Sequence, residues 1–138
     1  MKRFAYGALA FGALLVITSA AGNAQEFKLY PGSHLDGKAS GEASQAAPGK
    51  ESKVYTTSES FEKVFAFYKS AYQQDTSMRS TGPKLPSGQQ IQWAFFIVDG
   101  GTKLSNSNYW LKVQHPYVGG ADGKDIRDVT VIQSVRKK

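Results

Sequence analysis

Residues 61–72 carry the pattern that most constrains the fold of this chain. Their large apolar side chains recur at the spacing of helical turns, at Phe61, Val64, Phe65, Tyr68 and Tyr72. This spacing places all of them on one side of an α-helix with 3.6 residues per turn. N-cap residues at 58–60 and Lys69 near the other end agree with that helix and its dipole. The segment therefore predicts an amphipathic helix that fades around 73–75 and needs a covering layer.

Alternating apolar and polar side chains predict strands on both sides of this helix, at 26–30, 53–57, 90–98, 108–114 and 128–135. The last three follow one another across glycine-containing turns at 99–101 and 119–124, as in an antiparallel meander. One amphipathic helix against one antiparallel sheet predicts a two-layer α+β domain. We expect about four to five strands in that sheet.

Two of these strands predict how the layers are arranged. The strand at 90–98 has apolar side chains on both sides, which is typical of a central or doubly covered strand. The strand at 128–135 is predicted to direct valines inward and hydroxyl side chains outward, the first being Val129, Val131 and Val135 and the second Thr130 and Ser134. The sequence thus predicts one buried and one solvated side for the last strand.

Two segments are predicted to be loops. Residues 36–52 consist almost wholly of Gly, Ala, Ser, Lys and Glu and contain no large apolar side chain. Such a segment buries little surface that could offset the entropy of ordering it, so we expect a flexible surface loop. Residues 76–87 contain Gly82-Pro83 and Pro86, and they are predicted to cross to the sheet without regular structure.

The first 24 residues have the organisation of a secretory signal peptide. Lys2 and Arg3 precede an uncharged apolar stretch, and a small, polar segment follows and ends at Ala24. The apolar stretch is shorter than the roughly 20 residues needed to cross a bilayer. We expect cleavage after Ala24, a single domain at 25–138, and a periplasmic or secreted protein without a stable membrane anchor.

Charge and cysteine content exclude several kinds of site. The chain has 17 Lys and Arg against 11 Asp and Glu, and removal of Lys2 and Arg3 lowers its formal charge from +6 to +4. This modest excess in an exported protein disfavours nucleic acid as a partner. There is no cysteine, so disulfides, thiolate metal sites, cysteine nucleophiles and lipid-modified cysteines are excluded.

The strand and helix segments together resemble small bacterial exported and lipoprotein-like domains of uncharacterised function. The resemblance rests on Tyr30-Pro31-Gly32, on the stretch 54–69 (VYTTSESFEKVFAFYK), on Trp93 and on Val129-Thr130-Val131. It covers most of the chain after residue 24. The lipoprotein members carry a cysteine that is absent here, which implies a released protein. The resemblance implies no activity and no site residues.

Two tryptophans are the first candidates for ligand contact. Trp93 and Trp110 lie on strands joined by one turn and are predicted to be cross-strand neighbours on one face. If the helix does not cover that face, they would form a stacking platform for sugars or other flat ligands. Burial of both rings in the core is the alternative.

His115 is the third candidate. It ends a predicted strand, next to turns that contain Asp99, Asp122, Asp125 and Asp128. A histidine held by one of these carboxylates could act as a general base. No nucleophile motif, no metal-ligand spacing and no phosphate-binding loop accompanies it, so we expect no metal and no cofactor.

These observations favour a non-catalytic exported binding or accessory module. Its partner would be an envelope component or a small ligand, and we expect a monomer. One alternative is a small hydrolase or isomerase that uses His115 with a nearby aspartate. Another is a structural envelope protein that self-associates through the predicted edge strand at 26–30.

Overall fold

An α-helix lies on each face of one antiparallel sheet in the computed structural model, which describes residues 26–138. In chain order the elements are β1 (His34–Asp36), α1 (Gly37–Ala46), β2 (Lys50–Thr57), α2 (Phe61–Ala71), β3 (Gln73–Gln74), β4 (Thr81–Lys84), β5 (Gln90–Ile97), β6 (Tyr109–His115), β7 (Tyr117–Gly119), β8 (Asp125–Arg127) and β9 (Thr130–Lys137). The sheet has seven strands in the order β1-β2-β9-β6-β5-β3, with β4 also paired to β5, and β7 and β8 form a separate hairpin. The predicted mixed α and β class is confirmed, but two helices cover the sheet instead of one, so the arrangement is not two-layered, and the sheet has more strands than the four to five predicted.

Helix α2 confirms the prediction from the apolar spacing. It spans Phe61–Ala71, and the Ser60 side chain caps it by accepting a hydrogen bond from the Lys63 N–H. Val64 and Tyr68 are fully buried against the sheet, where they meet Phe96 and a cluster of other inward side chains. This α2 face of the sheet holds the larger core and collects Ala94, Leu111, Val113 and Ile132 from the three central strands.

Residues 36–52 are not a flexible loop, which corrects the sequence prediction. They form the end of β1, helix α1 and the start of β2. Asp36 is the N-cap of α1, since its carboxylate accepts a hydrogen bond from the Ala39 N–H at 2.9 Å. The helix buries only small side chains, chiefly Ala39, and its order comes from hydrogen bonds to β2 that are described below.

A helix packs on each face of the sheet, on the second face only in part, and this corrects the predicted orientation of the last strand. Thr130 and Ser134, predicted to point outward, are buried on the α2 face beside Ile132. Val131 is buried on the opposite face, against α1 and its neighbours. Val135 lies on that second face as well, since it is four residues from Val131 along the strand. A strand between two layers has no solvated side, so its hydroxyl residues are buried and must find partners, as Thr130 does with the Glu59 carbonyl at 2.7 Å.

Residues 26–30 do not form the predicted edge strand. They run as an irregular strap across α2 and the start of β6, with the Phe27 side chain buried in the core. Three tyrosine hydroxyls accept hydrogen bonds from its backbone N–H groups, namely Tyr109 from Phe27, Tyr72 from Lys28 and Tyr68 from Tyr30. The strap therefore closes the α2 face of the core, and three of its backbone N–H groups are already bonded within the chain.

The segment 76–87 is also more ordered than predicted, because it contains β4, which pairs with β5. The turn between β5 and β6 is longer than a tight hairpin and includes a 3₁₀ turn at Leu104–Asn106. The predicted signal peptide, residues 1–24, lies outside the described residues. Among residues 26–138, no helix is long and apolar enough to span a membrane.

Candidate functional site

The face of the sheet opposite α2 is only partly covered, and it holds a cavity. Helix α1 lies over one part of this second face, and the β7–β8 hairpin lies beside it. Between them is a cleft of about 510 Å³, within the usual range for sites that bind small molecules. Its floor is formed by sheet side chains, one wall by α1 and the other by residues 117–121 of the hairpin. We call this space the α1 cleft.

Serine side chains hold α1 at the rim of the sheet. The Ser40 hydroxyl accepts a hydrogen bond from the Val54 N–H at 2.8 Å, where β1 ends and leaves β2 without a neighbouring strand. One turn later, the Ser44 hydroxyl accepts from the Ser52 N–H at 3.2 Å and donates to the Ser52 carbonyl at 3.1 Å. Beyond the end of β1, the serine hydroxyls thereby replace the backbone groups of a neighbouring strand, and they satisfy backbone groups on this edge of β2. This explains how a helix without large apolar residues is fixed in place.

A cluster of charges fixes the start of α1 relative to the hairpin. The Arg127 guanidinium donates to the Asp36 carboxylate at 3.1 Å and lies 3.4 Å from a carboxylate oxygen of Asp125. Its carbon Cζ also lies 4.0 Å from the centroid of the Tyr117 ring. The hydrogen bond from Ala39 and the pairing with Arg127 hold the pKa of Asp36 below its usual value of 3.8. These charges are therefore already paired and stiffen one end of the cleft.

The hairpin wall depends on a glycine. The Tyr117 side chain folds back over Gly119, and a Cβ at position 119 would overlap with the Tyr117 hydroxyl and ring. Only glycine leaves this space free. Tyr117 is buried as a result and forms part of both the cleft wall and the small cluster under α1.

Lys112 is the exceptional residue of the cleft. It lies in the middle of β6, in register with Gln133 of β9 on one side and Phe95 of β5 on the other. Its ammonium Nζ is 5.0 Å from the centroid of the Trp93 ring, and it makes no hydrogen bond or ion pair within residues 26–138. Burial lowers the pKa of the Lys112 ammonium from its usual value of 10.5. A partly buried cation whose only partner is an aromatic ring lacks the anion or hydrogen-bond acceptors that would replace its lost water.

The other charged side chain of the α1 cleft is already neutralised. Glu42 faces the cleft from α1, and its carboxylate accepts a hydrogen bond from Lys38 at 2.9 Å. Gln114 and Gln133 add amide groups to the floor, and of these only the Gln114 side chain is engaged, by donating to the Pro116 carbonyl at 3.1 Å. Lys112 therefore contributes the one unpaired charge among the described residues that line the cleft.

The structure places Trp93 and Trp110 on the second face of the sheet but does not make them neighbours. Trp93 is opposite Gln114 and Trp110 is opposite Ile97, so Lys112 lies between the two indoles along β6. Both rings are partly buried. Trp93 packs under Gly82 of β4, and a Cβ added at position 82 would lie 3.0 Å from the Trp93 ring. The Trp110 ring has a different neighbour, the Lys50 ammonium, at 5.2 Å from its centroid. The two indoles are separated and do not form one flat platform.

His115 lies on the other face of the sheet, beside the start of α2. Its Nε2 atom is 2.8 Å from a carboxylate oxygen of Asp128, so the predicted pairing of this histidine with an aspartate is present. The pair borders a groove of about 450 Å³ that Ser58, Glu59 and other polar residues line. Among the described residues, no group of three or more potential ligands could hold a metal ion.

Sequence reasoning missed Lys112 as a site residue. Its signal was a lysine in the interior of a strand that Trp110 and Gln114 flank on the same side. The sequence leaves open whether that side is covered, because residues 36–52 are predicted to be a loop and not a second helix. Comparison of the chain with protein-family models, with curated proteins and with solved structures finds no match in any of the three.

Proposed function

We propose that this protein is an exported, non-catalytic module that binds a small ligand in the α1 cleft. The observation that carries the proposal is the Lys112 ammonium, which lies in a preformed cavity without a charged or hydrogen-bonding partner among residues 26–138. Desolvating a cation is costly unless a partner compensates for the lost water. A ligand in the cleft would provide that partner. Its binding would therefore gain the free energy of pairing the Lys112 ammonium.

The construction of the cleft supports the same function. Its walls are held by hydrogen bonds and ion pairs that do not involve Lys112, through Ser40, Ser44 and Asp36 on α1. A site whose walls are already fixed loses little conformational entropy when a ligand binds. The cleft is therefore suited to binding, and its described lining residues include no paired nucleophile and base that would indicate catalysis.

Export is part of the proposal and is tested separately. Cleavage after Ala24 would leave intact the contacts of the strap, which begin with the pairing of Glu26 and Arg136 at 3.2 Å. Expression of the full chain in a Gram-negative host, followed by fractionation and intact-mass measurement, should give a periplasmic or secreted product that begins at Gln25. A product that retains residues 1–24 in the cytoplasm would contradict export.

The binding function is tested by native mass spectrometry of the exported protein, purified gently from the envelope fraction of its source. We expect a monomer that carries an additional small mass, and that this mass is lost from the Lys112→Met variant. Lys53→Met is the matched control, because Lys53 is an exposed lysine on β2 of the same sheet. A bare wild-type protein, or an additional mass that persists in Lys112→Met, would contradict ligand binding at this cleft.

The pairing of His115 with Asp128 supports a second candidate, a small hydrolase or isomerase. In this version, His115 is the general base, Asp128 orients it, and the substrate lies in the groove beside the start of α2. Hydrolysis of p-nitrophenyl acetate by the wild type and by His115→Ala tests the hydrolase. Equal rates for the two proteins would exclude His115 as a catalytic base for this reaction.

A further inference from the structure

We propose that the ligand of the α1 cleft is a monovalent organic anion with an apolar body, bound through its carboxylate to Lys112. This inference rests on the proposed binding function and adds the chemical class of the ligand. Three properties of the cleft lead to it: its unpaired charge, its free polar groups and its apolar walls.

The charges of the cleft favour one negative charge and not several. Lys112 is the only cation of the described lining, so one negative charge on a ligand is matched and a second would find no cation there to pair with. Arg127, the nearest guanidinium to the hairpin wall, is occupied by Asp36 and Asp125. Phosphate sites usually combine several cations or backbone N–H groups, and this cleft offers a single lysine.

The polar groups beside Lys112 suit a carboxylate. Gln133 is directly opposite Lys112 across the β6–β9 ladder, and its side chain makes no hydrogen bond with any described residue. An ammonium and an amide N–H on adjacent strands can donate to the two oxygens of one carboxylate. The head group would therefore receive one hydrogen bond assisted by charge and one neutral hydrogen bond.

The remaining walls suit an apolar body. Helix α1 contributes three alanines, and the sheet contributes two valines from strands β2 and β9, these being Ala39, Ala43, Ala46, Val54 and Val131. Small side chains on the helix keep the space open, and the valines give the floor an apolar surface. A chain or ring of several carbon atoms would bury this surface and gain the usual hydrophobic contribution.

The test compares three probes that share one tail, namely octanoate, 1-octanol and octylammonium, by isothermal titration of the 25–138 protein. We expect octanoate to bind at least about tenfold more tightly than 1-octanol, since a hydrogen bond with a charged group contributes more than a neutral one. Octylammonium should bind most weakly. In Lys112→Met the affinity for octanoate should fall to that of 1-octanol, whereas Lys112→Arg should keep the preference for the anion.

Two results distinguish failure of this inference from failure of the binding function. Equal affinities for octanoate and 1-octanol in the wild type, or an anion preference that survives in Lys112→Met, would overturn the ligand class and leave the cleft as a binding site. Absence of binding by all three probes would contradict the binding function itself. Lys112→Gln replaces Lys112→Met if the latter does not fold, and Lys53→Met should bind all three probes like the wild type.

Discussion

The ammonium of Lys112 lies 5.0 Å from the centroid of the Trp93 ring, on a face of the sheet that α1 and the β7–β8 hairpin only partly cover. The ring face offers the cation a weak electrostatic partner, worth about 0.5–2 kcal/mol. No carboxylate among the described residues completes the pairing. The unpaired ammonium therefore lowers the stability of the ligand-free protein, and it can form an ion pair with an anionic ligand.

Replacement of Lys112 should therefore stabilise the ligand-free protein. We expect Lys112→Met to raise the free energy of unfolding by about 1 kcal/mol at neutral pH, because methionine fills similar space without a partly desolvated charge. Urea unfolding of the wild type, Lys112→Met and the control Lys53→Met measures the effect. The control should change by less than about 0.5 kcal/mol, and a destabilised Lys112→Met would contradict the account.

The same lysine predicts that the free energy of unfolding changes with pH in the alkaline range. Burial lowers the pKa of Lys112 in the folded state, while the unfolded chain keeps the usual value of 10.5. The unfolded state then binds more protons between these two values, so the contribution of this group to stability rises with pH in that window. We expect the difference in unfolding free energy between Lys112→Met and the wild type to be smaller at about pH 10 than at pH 7. A difference that does not change with pH would contradict a lowered pKa.

Loss of a serine hydroxyl should loosen α1. Ser40→Ala and Ser44→Ala each leave a backbone N–H of β2 without its partner, at a cost of about 1 kcal/mol, even though alanine is the better helix former. Ser70→Ala is the matched control, since this exposed serine of α2 bonds only within its own helix. Urea unfolding that ranks Ser70→Ala as the most destabilised of the three would exclude the role given to the serines of α1.

The Asp36 carboxylate predicts how the stability of the α1 region falls at acid pH. Its pKa is lowered in the folded state, chiefly by the Ala39 N–H, so its stabilising effect is complete above the unfolded value of 3.8 and is lost as the pH falls through the folded value. Asp36→Ala should cost about 1–2 kcal/mol at pH 7 through loss of the helix cap and of the Arg127 pair. Below the folded-state pKa of Asp36 the wild type and the variant should converge. A constant difference across this range would refute the assignment.

The tyrosine hydroxyls that hold the strap give a prediction for individual amides. Tyr72→Phe should expose the Lys28 N–H to hydrogen exchange, and Tyr68→Phe should do the same for the Tyr30 N–H. Tyr55→Phe serves as control, because the Tyr55 ring packs against the same core and its hydroxyl makes no hydrogen bond with a described residue. Exchange that accelerates equally in all three variants would indicate general loosening and not specific contacts.

The elements that depend on the spacing of large apolar side chains could be predicted from the sequence. Helix α2 and the central strands follow from periodic burial of large side chains, as in Val64 and Tyr68. Helix α1 could not be found in this way, because Ser40 and Ser44 fix it through hydrogen bonds to a strand edge. Without α1, the sequence could not show that a second helix covers part of the other face, that Thr130 and Ser134 are buried as well as the valines, or that Lys112 lines a cleft.

Chemical-shift mapping by ¹H–¹⁵N NMR with octanoate tests the central claim most directly. The account predicts saturable shifts confined to the amides of α1, of residues 117–121 and of Lys112 and Gln133, and their loss in Lys112→Met. Shifts that instead surround His115 and Asp128, or no saturable shifts at all, would contradict the assignment of the α1 cleft as the binding site.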